Sequence, residues 1–214
     1  MAASTCIDAV NSPAELAVRN LVLVRGDRLV QQDLSFRVMA GETLAVSGRN
    51  GAGKTSLLRA IAGLLDVKSG NISLRLDGGR AVTSGEERGN YVGWIGHQDG
   101  IKPQLTPLEH LNFHRAYFRC GGNTADALAR TGLTQIRDLP AQYLSAGQRR
   151  RLAFARLILG SRPLWLFDEP LSTLDTEGRN FVRLLIENHC SAGGIVVAAT
   201  HEPLGFRSVE LELS

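Results

Sequence analysis

Apolar residues recur along this chain with two periods, and their alternation predicts its elements. From Leu16 to Val24 hydrophobic positions mostly alternate with polar ones, and Leu34, Phe36 and Val38 alternate again, so both stretches are predicted strands. The second ends at the Ala40-Gly41-Glu42 turn. Thr43 to Ser47 is a short apolar strand running into a glycine-rich loop, after which Leu57, Leu58, Ile61, Leu64 and Leu65 recur at helical spacing. Ser73 to Leu76, ahead of Asp77-Gly78-Gly79, and Tyr91 to Ile95, ahead of Gly96-His97-Gln98, are further predicted strands. Thr106-Pro107-Leu108-Glu109 starts a helix, with a capping hydroxyl, a first-turn proline and a reciprocating glutamate at the right offsets. Another helix is predicted from Gly147 to Leu159, stopping at Gly160. Leu164–Phe167 and Ile195–Thr200 are apolar throughout, as strands of a parallel sheet are. Short buried strands alternating with helices indicate an α/β sheet. Residues 1–14 lack periodicity and read as a loose tail, leaving 15–214 as one domain.

Composition narrows the class only a little. A chain of 214 residues that is 43% hydrophobic and 21% charged can bury a sizeable core. Its net charge of +3 is what a solvated surface carries and does not argue for nucleic acid. Cys6, Cys120 and Cys190 are scattered and odd in number, which fits reduced thiols rather than a disulfide framework. No apolar run reaches the roughly 20 residues of a membrane helix, and the start resembles no signal peptide. A membrane address is therefore expected to come from a partner.

Two sites carry chemistry. Gly48-Arg49-Asn50-Gly51-Ala52-Gly53-Lys54-Thr55 fits G-x-x-x-x-G-K-S/T and lies between a predicted strand and a predicted helix, with Ser56 next in line. Backbone N–H groups of such a loop, together with the helix N-terminus, cradle phosphates. Lys54 would reach the β and γ phosphates of ATP, and the Thr55 hydroxyl would ligate Mg²⁺. The second site is Leu164-Trp165-Leu166-Phe167-Asp168-Glu169, an apolar strand ending in two carboxylates. Asp168 is placed to hold Mg²⁺, and Glu169 to orient and deprotonate an attacking water. The competing reading of this pair is two solvated acids at a strand end.

Between these sites stands Leu144-Ser145-Ala146-Gly147-Gln148. In order with the phosphate loop, Gln98, Asp168-Glu169-Pro170, Ser172-Thr173-Leu174-Asp175 and His201, it makes the chain resemble ATP-binding cassette (ABC) ATPases from about Leu16 to His201. The resemblance implies a P-loop NTPase domain: a RecA-like core, an antiparallel β subdomain, and a helical subdomain at about 99–160. It also implies that Gln98 senses Mg²⁺ and the attacking water, and that Ser145 and Gly147 close over the γ-phosphate of a second copy's ATP. Asp175 would link the two sites across that dimer, and His201 would contact the γ-phosphate beside Glu169. Ala146 departs from the usual second glycine, and Leu23-Val24-Arg25-Gly26 lacks the aromatic that usually stacks on adenine. Arg25 could stack on the base instead, or face solvent.

A narrower resemblance rests on Trp94-Ile95-Gly96-His97-Gln98-Asp99-Gly100-Ile101-Lys102 and Leu105-Thr106-Pro107-Leu108-Glu109-His110-Leu111. These are similar to the ATP-binding subunits of haem exporters used in cytochrome c maturation. That implies a peripheral ATPase on the cytoplasmic face of the inner membrane, paired with an integral permease and with haem-handling membrane proteins. An ABC ATPase for another cargo, or a soluble one outside transport, is the alternative. His110 and His114, four apart, are expected on a solvated or partner-facing helix surface rather than ligating metal. Arg149, Arg150 and Arg151 are expected to spread around a helix as solvated or interface groups.

Overall fold

The computed structural model describes residues 12–26, 28–172 and 174–213. β1 (Pro13–Arg25) and β2 (Arg28–Met39) form a long antiparallel hairpin that brings Leu16 opposite Val38 and Arg25 opposite Arg28. The alternating stretches seen in the sequence are the inner parts of these strands. Pro13 and Ala14, expected in the tail, already belong to β1, while residues 1–11 lie outside the described residues.

The chain continues through β3 (Thr43–Gly48), α1 (Lys54–Ile61), β4 (Ser69–Leu76), β5 (Ala81–Val82), α2 (Gly85–Gly89) and β6 (Val92–Ile95). Three helices follow, α3 (Pro107–Phe118), α4 (Thr124–Arg130) and α5 (Ala146–Gly160). β7 (Leu164–Asp168), α6 (Thr176–Ser191), β8 (Ile195–Ala199) and β9 (Val209–Leu213) complete the fold. β2-β1-β4-β5 make an antiparallel sheet, and β6-β7-β8-β3-β9 a parallel one.

The strict alternation of side chains along the parallel strands divides the interior in two. Leu44, Val46, Leu164, Leu166, Ile195 and Val197 face a core shared with Leu57, Leu58 and Ile61 of α1 and with Leu16 and Leu74 of the antiparallel sheet. Ala45, Trp165, Phe167, Val196 and Ala198 face the other core, with Phe154 of α5 and Val182 and Ile186 of α6. Both faces of the sheet are thus covered, which is why β7 and β8 are buried along their whole length.

The capping box at Thr106 is present, with Pro107 opening α3. Two helix ends differ from expectation. α1 stops at Ile61 because Gly63 turns the chain at φ 76°, so Leu64, although in helical phase, is exposed. α5 includes Gly160 as its last residue, with Ser161 rather than a glycine in the left-handed conformation. Of the two histidines expected on a solvated or partner-facing surface, His110 is internal. It is 5% exposed, and its Nε2 lies 3.1 Å from the Lys102 amide and 3.0 Å from the Lys102 carbonyl. Burial also pushes the His114 pKa down to about 4.

His189 of α6 is buried, with its ring stacked on Trp165 at a centroid distance of 3.7 Å. Burial lowers its pKa from 6.5 to about 4, so the folded protein holds it neutral. Unfolding restores the ordinary value. The stability this group contributes is complete above about pH 6.5 and is lost as the pH falls toward about 4, a change on the order of 3 kcal/mol. His189→Phe keeps the stacked ring and removes the titration. Its urea midpoint is expected to fall less than the wild type's between about pH 7 and about pH 5. Equal slopes would show that other groups set the acid sensitivity.

Candidate active site

β3, β7 and β8 are neighbours, and their register sets Val46 and Asp168 on either side of Ala199. The chain leaves the carboxyl ends of all three strands at one place, where ligands bind in open α/β sheets. Gly48 ends β3, Asp168 ends β7, and His201 follows β8 by two residues.

The loop from Gly48 to Gly53 wraps into α1, whose first residue is Lys54. Gly53 has φ 98°, and a side chain there would collide with Val30. Only glycine lets the loop close against β2 in this left-handed conformation. Gln31 of β2 supports the loop from below by donating from Nε2 to the Ala52 carbonyl at 2.7 Å. Lys54 Nζ donates to the Gly48 carbonyl at 2.7 Å and lies 3.1 Å from His201 Nε2. An ammonium has donors only, so the His201 nitrogen accepts here. The Thr55 hydroxyl donates to Asp168 Oδ2 at 2.9 Å, and Glu169 Oε1 lies 3.5 Å from His201 Nε2.

These groups line one cleft of about 540 Å³. Arg49, Asn50, Gly51, Gly53, Lys54, Thr55, Ser56, Asp168, Glu169 and His201 all face it. Gly48 and Ala52 shape the loop from behind instead. Arg25 and Arg28, paired across the β1–β2 turn, form the far wall with Val30. A helix N-terminus, inward amides and several cations at one end suit a polyphosphate, and the acids beside them suit its cation and a water.

Gln98, expected beside the cation and the attacking water, does not line this cleft. The bend after β6 turns His97 into the cleft, while Gln98 lines a separate cavity with Trp94, His114, Phe118 and Arg156. Sequence reasoning overlooked His97, although it stands beside the glutamine. Ser145 and Gly147 do not line the cleft either. Ser145 caps α5, its Oγ accepting from the Gln148 amide at 3.1 Å while the Gln148 side chain accepts from the Ser145 amide at 2.9 Å. This end of α5 faces solvent. Asp175 caps α6 by accepting from the Gly178 amide at 2.7 Å, and Thr173 lies outside the described residues.

Glu169 adopts φ 55°, a left-handed conformation that costs a non-glycine residue about 1–2 kcal/mol. Its main chain is held on every side. The amide donates to the Ala199 carbonyl at 2.9 Å, and the carbonyl accepts from Arg150 Nη2 and from Ser172 Oγ, each at 2.9 Å. Arg150 is 4% exposed, so of the three consecutive arginines expected at the surface the middle one is internal. Helical geometry explains this, since neighbouring residues point about 100° apart.

The family profile described as "ABC transporter" matches residues 31–172. The "Cytochrome c biogenesis ATP-binding export protein CcmA" of Rhodopseudomonas palustris (strain HaA2) is 47% identical over 201 residues, covering 92% of this chain and 97% of the relative. The protein of the same name from Bradyrhizobium diazoefficiens is 46% identical, over 93% of this chain and 98% of its own. Among solved structures, a putative ABC transporter ATP-binding protein from Pyrococcus furiosus superposes with a TM-score of 0.79 at 19% identity, covering 94% of this chain and 98% of that one. A bacterial Atm1-family ABC exporter with ATP bound also gives 0.79, at 24% identity, covering 96% of this chain and 37% of that one. These two establish likeness of fold. The chain belongs to the ABC transporter ATP-binding family and, within it, to the group of the cytochrome c biogenesis ATP-binding export proteins.

Proposed function

We propose that this chain is the ATP-hydrolysing subunit of a membrane exporter serving cytochrome c biogenesis, and that it energises haem delivery or the release of a haem-loaded chaperone. The observation that carries the reading is the convergence of Lys54, Thr55, Asp168, Glu169 and His201 on one cleft, in a chain whose relatives carry that name.

ATP enters with its phosphates against the Gly48–Ser56 loop, and Lys54 exchanges its carbonyl and histidine partners for the β and γ oxygens. Thr55 and Asp168 present hard oxygen donors 2.9 Å apart, the chemistry Mg²⁺ prefers, and would hold it. Held there, such an ion would supply positive charge to offset that on the phosphates. Glu169 takes a proton from the attacking water. His201, freed from Lys54, can then donate to the γ-phosphate. Ser145 and Gly147 serve the ATP of a second copy. Their position on a solvent-facing helix N-terminus, away from this chain's own cleft, supports that arrangement.

The cavity that holds Gln98, about 490 Å³, supports docking of a permease segment. Beside it Phe113, Tyr117 and Phe118 are exposed, the first two stacked and the last two edge to face. Among the described residues no helix is long and apolar enough to cross a membrane. Attachment through such a segment would place the chain on the cytoplasmic face of the inner membrane.

The test is copurification. Tagged Glu169→Gln protein, isolated with Mg-ATP from detergent-solubilised native membranes, is expected to bring down one integral permease together with haem-binding proteins, identified by mass spectrometry. A permease without haem proteins would move the cargo elsewhere. Recovery of ribosomal or DNA-bound proteins in its place would overturn the transport reading.

A further inference from the structure

Arg150 lies one turn into α5, just past the Ser145 cap, and is almost wholly buried. Its guanidinium spends its donors on two separate elements. Nη2 donates to the Glu169 main-chain carbonyl at 2.9 Å. Nη1 donates to the Gly96 carbonyl at 3.0 Å and to Asp99 Oδ1 at 2.8 Å, one residue to either side of His97-Gln98. Further along α5, Arg156 holds the same loop through the carbonyls of Asp99 and Gly100. Arg150 thus bonds to both the loop and the glutamate, and it does so through a rigid planar fork.

We propose that Arg150 is a positioning residue for hydrolysis: it holds the Glu169 backbone in its left-handed conformation and ties that conformation to the position of the loop carrying His97 and Gln98. The inference rests on the proposed role of Glu169 in activating water. Displacing the 96–99 loop, whose outer side lines the Gln98 cavity, pulls on the fork and rotates the Glu169 carbonyl. The carboxylate moves with it. Since mispositioning of about 1 Å can cost about 10²-fold in rate, a small shift is enough to gate hydrolysis. Among the described residues Arg150 makes no hydrogen bond to the nucleotide cradle of Gly48–Thr55, so ATP binding is expected to be spared.

The experiment compares Arg150→Lys, Asp99→Asn, the double variant and Glu169→Gln, each as full chain in the complex isolated from native membranes. Steady-state ATP hydrolysis, the KM for ATP and thermal midpoints are measured for each. A lysine ammonium cannot span Glu169 and the loop together, so Arg150→Lys is expected to lower kcat about 10–10²-fold with KM unchanged. Asp99→Asn leaves the arginine in place and is expected to lower kcat by several-fold, about 3–10. The double variant should match Arg150→Lys alone, because one connection is being cut twice. If Arg150→Lys does not fold, Asp99→Asn at an unchanged midpoint carries the test. Wild-type kcat in the folded variants, losses that follow KM, or independent multiplication of the two effects would overturn the proposal. The control separates the two levels. Hydrolysis surviving in Glu169→Gln removes the base and this inference with it, whereas hydrolysis lost there but intact in Arg150→Lys and Asp99→Asn removes this inference alone.

Discussion

Glu169→Gln is expected to bind ATP with wild-type affinity and to hydrolyse it about 10²–10⁴-fold more slowly. The substitution changes one oxygen to an amide and little else. The bonds that hold residue 169, from Ala199, Arg150 and Ser172, are made by its main chain and survive. The neighbours that would receive phosphate, Lys54 and the loop amides, do not touch the glutamate; the side-chain contact it loses is the 3.5 Å approach to His201. An amide has no basicity to take a proton from water, so the loss should fall on kcat and not on binding. Phosphate release at saturating Mg-ATP, set against equilibrium nucleotide binding, measures both. Hydrolysis at the wild-type rate would move the base to another group in the cleft, with His97 the first candidate from its position there.

Arg88→Met should destabilise the fold by about 3–5 kcal/mol, since a buried acceptor left without its donor costs about 1–3 kcal/mol and this side chain serves several. Arg88 is 3% exposed and donates to four main-chain carbonyls: Ile61 at 2.6 Å, Thr83 at 2.9 Å, and Ala60 and Ile72 at 3.0 Å. Two of these belong to the last turn of α1, where carbonyls lack partners within the helix and the dipole is negative. Ile72 belongs to β4, so one guanidinium joins the far end of the phosphate helix to the antiparallel sheet. Burial lowers the pKa of Arg88, because taking the guanidinium out of water disfavours its charged form. Methionine fills the space but removes the donor from all four, and the Ala60 carbonyl keeps its bond from the Gly63 amide at 3.1 Å. Urea unfolding should register the loss, with a melting temperature about 10 °C lower. A change below about 1 kcal/mol would mean that water replaces the guanidinium.

Much of the site was legible in the sequence because its parts are contiguous. The phosphate loop sits between a strand and a helix, and Asp168-Glu169 ends an apolar strand; both signals need only local periodicity and spacing. The cap at Thr106 was legible for the same reason, since a capping box is closed within four residues, whereas the one at Ser145 was missed although Ser145 and Gln148 have the same spacing. α6 was missed even though Asp175 caps it and Val182, Leu185, Ile186 and His189 are spaced for one buried face. β9 was missed for a different reason. Its Val209-Glu210-Leu211-Glu212-Leu213 alternation is short, and only pairing with β3 makes it a strand of the parallel sheet.

The sequence by itself determined the α/β class, the phosphate loop, the pair of carboxylates and the family, since each is written in neighbouring residues. Which groups share the cleft was decided by tertiary structure. The register of β3, β7 and β8 brings Lys54, Asp168 and His201 together across more than a hundred residues of chain. A bend after β6 sends His97 and Gln98 to different cavities. His110 and Arg150 were expected as solvated or partner-facing groups, yet folding buries each against main-chain carbonyls, as it does Arg88. Periodicity cannot foretell this. A buried polar side chain is stable only where the rest of the chain supplies its partners, and those partners are distant in sequence.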